Sequence, residues 1–387
     1  MVSLLEINLD MPLRHRSYSI VGRIGSRTYL PTGHVDTELV GGIESSCDDV
    51  VGNFPNPNPL SILKVVKGDG SFSGKSTVFP VFLYDGYPYT NQPTATLPSG
   101  WDTGMPDLVT SVTQVASKTN PGRADLSVPV FIAELKDLPD MLHIGANTRY
   151  QKAIGKYKKP KASNSVPTEH FGWSPFFRDL SSLLDFTAHV DKRVKELMSV
   201  YSSRGEHRNK KVWANNYSLT ESNVPFQTVE NSCYGDRVTT VTAKRWASIR
   251  WRPTFPPPSM PSRPDLLQKA RFAVHGWRIN PSDAWELIPW SWLADYFGNV
   301  GSMLETYGNA WEYQCSDGCV MTEILVHVSD RPYGDSPGFT TIPAVASRTY
   351  KIRDLATPGL SLFGQLLSPK QLTNLAAIAA NYGGVKK

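Results

Sequence analysis

Thr240-Val-Thr-Ala-Lys-Arg-Trp-Ala-Ser-Ile-Arg-Trp-Arg252 reads as a single β-strand. Val241, Ala243, Ala247, Ile249 and Trp251 alternate with Thr242, Lys244, Trp246, Ser248, Arg250 and Arg252, which is the period of two that sends successive side chains to opposite faces. One face is therefore expected in a core. The other carries positive charge beside an indole.

Working outward, Val212 to Arg252 is β-prone throughout, with a candidate hairpin turning at Tyr234-Gly235-Asp236. The stretch from Ser17 to about Asn120 is rich in Thr, Ser, Val, Gly and Pro and reads as strands and loops, including a run from Ser76 to Tyr84. Met321–Val328 and Thr341–Ile352 are also strand-like. Pro253 to Pro264, with three successive prolines at 256–258, reads as a stiff connector.

Helical signals interleave with these. Ser127 and Pro129 open a short helix that ends near Pro139. The clearest helix runs from Ser174 to about Ser203, where Leu180, Leu183, Thr187, Val190, Val194, Leu197 and Tyr201 form a heptad seam and Gly205 closes it. Asp265–Trp277, Asn280–Tyr307 and Ser368–Tyr382 complete the set. The fold expected is α+β and elongated, a β-sheet region packed beside a helical bundle, with α and β segments interleaved along the chain. Residues 1–124, 206–260 and 309–360 form the β-rich region in this reading, and 125–205, 261–308 and 361–387 the helical one.

Composition narrows the function classes. In 387 residues, 40% are hydrophobic and 11% aromatic, which excludes a disordered chain. The formal charge of +5 is mild, so an anionic partner has to be argued from where the charges cluster. No apolar run approaches the roughly 20 residues of a membrane-spanning helix. The first twenty residues lack the order of a secretory signal. Cys47, Cys233, Cys315 and Cys319 are too few for a disulfide scaffold, and neither they nor the 8 His residues fall in a zinc pattern, so no metal or other cofactor is expected. Gly70-Ser-Phe-Ser-Gly-Lys-Ser76 fails the spacing of a phosphate-binding loop, and there is no nucleophile elbow. An enzyme is not expected.

Three basic clusters are candidate RNA sites. Arg149, Lys152, Lys156, Lys158, Lys159 and Lys161 lie in a stretch without acids, with Tyr150 and Tyr157 available for stacking; a solvated loop is the alternative. Arg204, His207, Arg208, Lys210 and Lys211 follow the heptad helix and suit either phosphates or the helix dipole. The strand face with Lys244, Trp246, Arg250 and Arg252 offers charge and an aromatic platform together, for RNA or equally for contact with another protein.

The stretch Trp285-Glu-Leu-Ile-Pro-Trp-Ser-Trp-Leu-Ala-Asp-Tyr-Phe-Gly-Asn-Val-Gly301 resembles a hallmark of the maturation, or A, proteins of leviviruses, the positive-strand RNA bacteriophages. Pro129–Pro139 and Phe171–Leu180 resemble segments of the same family. The resemblance covers roughly 125–205 and 265–308. It implies a virion protein, one copy per particle, whose helical part faces the capsid interior and the genome while its sheet-rich part projects toward a pilus or other bacterial receptor. The implied partners are hairpins of the single-stranded genomic RNA, the coat protein shell and that receptor, and the implied places are the virion and the host cytoplasm during assembly and after entry. Some family members also lyse the host by inhibiting a cell-wall synthesis enzyme, which is the alternative role the resemblance allows.

Overall fold

The computed structural model describes residues 12–51, 57–76, 81–124, 186–227, 231–257, 259–275, 285, 291, 295, 298–308 and 310–361. Within them are ten strands: β1 (Leu13–Tyr29), β2 (His34–Val50), β3 (Leu60–Lys67), β4 (Ser71–Lys75), β5 (Phe82–Pro88), β6 (Glu206–Gln227), β7 (Cys233–Pro253), β8 (Tyr313–Pro332), β9 (Phe339–Ile342) and β10 (Val345–Leu355). Four helices accompany them: α1 (Leu108–Thr119), α2 (Phe186–Val200), α3 (Arg263–His275) and α4 (Val300–Tyr307). The strands form one sheet in the order β6-β7-β8-β10-β3-β2-β1-β5-β4-β9.

This corrects the expected α+β packing of a sheet region beside a helical bundle. The described residues are dominated by the antiparallel ten-stranded sheet. The β-prone runs Val212–Arg252 and Met321–Val328 are parts of strands of 20 to 22 residues, and the chain passes from α2 almost directly into β6. Glycines that read as turns lie inside strands. Tyr234-Gly235-Asp236 is within β7, where a Cβ on Gly235 would sit 2.2 Å from the Arg331 carbonyl oxygen, so this glycine serves close strand approach and not a hairpin. Gly22 is similar: its Cβ would lie 2.0 Å from the Val40 carbonyl oxygen, opposite Gly41, whose φ is +74°. The helices expected at 127–139 and 368–382, and the first part of the heptad helix, lie outside the described residues.

The chain divides into two compact units. The first comprises Met1–Ser111, Lys210–Ala247 and Cys319–Ala356. Its main core joins Val241 and Ala243 to Ile324, Val326, Val328 and Ala346, with Trp213, Tyr217 and Tyr350 packed against them. A second cluster brings Phe72 and Tyr84 of β4 and β5 against Phe226 and Cys233 at the ends of β6 and β7. Strands from opposite ends of the sheet order thus share a core, so within this unit the sheet curls back on itself.

The second unit comprises Val112–Asn209, Ser248–Gly318 and Thr357–Lys387. α2 packs on α3, burying Val190, Val194 and Leu197 of the heptad seam along with Leu266, Ala270 and Val274. Ile249 and Trp251 are buried in the same unit, and the Trp251 indole donates to Thr119 Oγ1 at 3.0 Å. Asn120 ends α1: its side-chain amide donates to the carbonyls of Glu305 and Thr306, and its own carbonyl accepts from Arg193. Fully buried Arg193 also donates to Pro121 and Arg123 carbonyls and pairs with Glu196 at 3.1 Å. These charge-assisted bonds satisfy a helix end that would otherwise leave buried acceptors without donors.

Candidate nucleic-acid interface

The pairing register of the first unit builds a second, open face on the sheet. Because antiparallel neighbours in register point the same way, lateral rows of side chains follow from the ladder. One row runs Tyr18, Ser45, Lys64, Thr349, Leu325 across β1, β2, β3, β10 and β8. The next runs Arg16, Cys47, Ile62, Lys351, Glu323, and a third Arg14, Asp49, Leu60, Arg353, Met321. Lys244 of β7 joins the second row through an ion pair with Glu323, and Trp246, two residues on, shares its face. The Lys244 ammonium lies 5.6 Å from the centre of the Trp246 ring.

Residues of the opposite parity, Ile324, Val326, Val328 and Ala346, belong to the core. Along β8 and β10 the sheet is therefore packed on one side and polar on the other. On the polar side Lys244, Lys351, Lys64, Arg14, Arg16 and Arg353 face two carboxylates among the described residues of these rows, Glu323 and Asp49. Both acids are shared. Glu323 holds Lys244 and Lys351, the latter at 3.1 Å, and these two ammonium groups keep its carboxyl below its ordinary range. Asp49 accepts from Arg14 and pairs with Arg16 at 3.1 Å; the Arg14 hydrogen bond, reinforced by Arg16 and Arg353, holds it low too. Lys64 is exposed, and no side-chain partner for it stands among the described residues. Tyr18 is 54% exposed. Cations in excess, flanked by Tyr18 at β1 and Trp246 at β7, make a surface that can neutralise phosphates and stack bases.

The clusters expected from sequence fare differently. Arg149, Lys152, Lys156, Lys158, Lys159 and Lys161 lie outside the described residues. Arg204 is exposed, whereas Arg208 is drawn inward, pairing with Glu206 and with Glu196 at 3.4 Å. His207 contacts Ser248, and burial, with Arg250 adding to it, lowers its pKa. Ser248 is 1% exposed, so this Ser–His contact presents no nucleophile to a substrate. Lys210 and Lys211 are exposed, but as neighbours in β6 they point to opposite sides of the strand. Lys244 and Trp246 stand on the open face as expected. Arg250 does not: it is 8% exposed, its guanidinium pairing with Asp317 at 2.8 Å and donating to the Arg204 carbonyl. Arg252 is half-exposed, 3.9 Å from the same Asp317. Sequence reading did not single out Lys64, Lys351, Arg14, Arg16 or Arg353, because only the register places them beside Lys244.

In the Trp285–Gly301 stretch, Asp295 accepts from the Gly301 amide at 2.8 Å and from the Trp285 indole at 3.4 Å. The acid fastens the start of α4 and is occupied structurally. Among the described residues no group of three or more His, Cys, Asp or Glu could hold a metal ion, and no helix is long and apolar enough to cross a membrane.

Over 181 residues the chain is 23% identical to Maturation protein A2 of Enterobacteria phage SP. The likeness is to a phage maturation protein. It covers 44% of this chain and 35% of that protein's length. No family model matches the chain.

Proposed function

We propose that the chain is a phage maturation protein that binds genomic RNA through the open face of its sheet. The single observation that carries this is the row structure: six cationic side chains around two carboxylates on one polar face, with Tyr18 and Trp246 on the same face. The likeness to Maturation protein A2 supports the same reading. Affinity then comes chiefly from phosphate neutralisation, and selectivity from RNA shape and unpaired bases resting on the aromatic rings.

In this reading the protein acts by binding and not by catalysis. It is a virion component that contacts the coat shell, engages a bacterial pilus or other receptor, and enters the host cytoplasm with the RNA. The test is equilibrium binding of the full chain to fragments of its own genome over a salt series. A steep loss of affinity with salt, made shallower by Lys64→Ala with Lys351→Ala, supports the open face. An unchanged slope in that variant removes it.

A further inference from the structure

In β1, every residue from Leu13 to Val21 is exposed. A strand inside a sheet normally hides alternate side chains, so nine consecutive exposed residues mean that neither face nor the outer edge is covered. The pairing agrees. β2 lies along one side of β1, whereas on the other side β5 pairs only with Ser26–Tyr29, so among the described residues the main-chain groups of Leu13–Val21 have no ladder partner there. Leu13 is 83% exposed, Val21 69%, Ile20 56% and Tyr18 54%. An unpaired edge with exposed apolar side chains among its residues invites another strand.

The two strands of this hairpin also have opposite charge. β1 contains Arg14, His15, Arg16, Arg23 and Arg27 and no acid, while β2 contains Asp36, Glu38, Glu44, Asp48 and Asp49 and neither Lys nor Arg. Three register pairs are basic–acidic: Arg14 with Asp49, His15 with Asp48, Arg27 with Asp36. The neutralisation is incomplete at the open end, where Asp49 serves Arg14 and Arg16 together and both arginine side chains stay about half exposed.

We infer that the free edge of β1 at Leu13–Val21 receives an extended acidic strand from a partner protein, by main-chain pairing. Such a strand would repeat on the open side what β2 does on the paired side, acids against Arg14 and Arg16 and aliphatic side chains against Tyr18 and Ile20. A second copy of this chain fits poorly through β1, since two β1 edges bring only basic residues together, and in β2 the segment Gly42–Asp49, with Glu44, Asp48 and Asp49, is already paired with both β1 and β3. This inference does not depend on the RNA reading, because nucleic acid has no use for a ladder of amides and carbonyls.

The test is amide hydrogen exchange of the full chain with synthetic peptides of about nine residues, long enough to follow the edge at about 3.3 Å per residue. One carries Asp opposite Arg14 and Arg16, Val opposite Tyr18 and Ile20 and Ser at the positions between, and one has Lys in place of Asp; an oligouridine is the third probe. The expected result is protection confined to 13–21 with the Asp peptide, at an affinity about tenfold above the Lys peptide in low salt. Equal protection by the Lys peptide, protection at another strand, no protection by any peptide, or protection of 13–21 by oligouridine alone would each overturn it. Ser19→Pro in the same experiment checks the mode, since Ser19 is out of phase with Pro12, whose carbonyl accepts from Val51 of β2, and so turns its amide to the open edge: it should abolish peptide protection while the exchange of β8 and β10 amides stays as in the parent.

Discussion

Lys351 stands directly across from Glu323 in the β8–β10 ladder, and its ammonium lies 3.1 Å from that carboxylate, which also holds Lys244. One acid therefore restrains two of the cations on the open face. Glu323→Gln releases both. The expected outcome is RNA binding strengthened about threefold in low salt, with stability reduced by less than about 1 kcal/mol because the lysines are half exposed. Binding titrations and chemical denaturation measure the two effects.

The same acid sets a pH dependence. Its folded pKa lies below the ordinary value of 4.5, so its stabilising pairs are complete above that value and are lost as pH falls through the folded pKa. Acid unfolding of the Glu323→Gln variant should therefore begin less steeply below about pH 4.5 than that of the parent chain, a comparison made by circular dichroism.

Much of this was legible in the alternation of Thr240–Arg252. Val241, Ala243, Ala247, Ile249 and Trp251 are all buried. The pattern fails at polar residues that found partners inside: Arg245 donates to Thr322 and to the Pro106 carbonyl, Ser248 meets His207, and Arg250 meets Asp317. A period of two cannot reveal such pairing. Helix α1 was missed because its Val, Thr and Ser composition favours strand. Asp107 caps it through the Thr110 amide at 2.6 Å, and Ser111 and Thr119 turn their hydroxyls back onto backbone carbonyls. The open face was half visible, in Lys244 and Trp246. Its other members are scattered over five strands from position 14 to position 353, and they meet only through long-range register.

Arg193 tests the second unit. Truncation to Ala removes donors from the carbonyls of Asn120, Pro121 and Arg123 and one partner from Glu196, so a loss of about 3–5 kcal/mol is expected by denaturant unfolding. Arg193→Lys should recover only part of it, since an ammonium cannot reproduce the guanidinium's fork of donors.

Trp251 is the largest fully buried side chain among the described residues. Trp251→Ala is expected to cost about 3–5 kcal/mol through the cavity it leaves. Trp251→Phe should cost less, with a remainder of about 1 kcal/mol for the donor lost at Thr119 Oγ1, whose own hydroxyl still donates to Val115. Thermal melts of the two variants separate cavity from hydrogen bond.

The central claim is that the open sheet face meets the genome. Ultraviolet crosslinking of phage particles, followed by mapping of RNA-bearing peptides on this chain, tests it most directly. Crosslinks are expected at Tyr18 and Trp246 and in peptides carrying Lys64 and Lys351. Crosslinks confined to other segments, with these four positions clean, would contradict it.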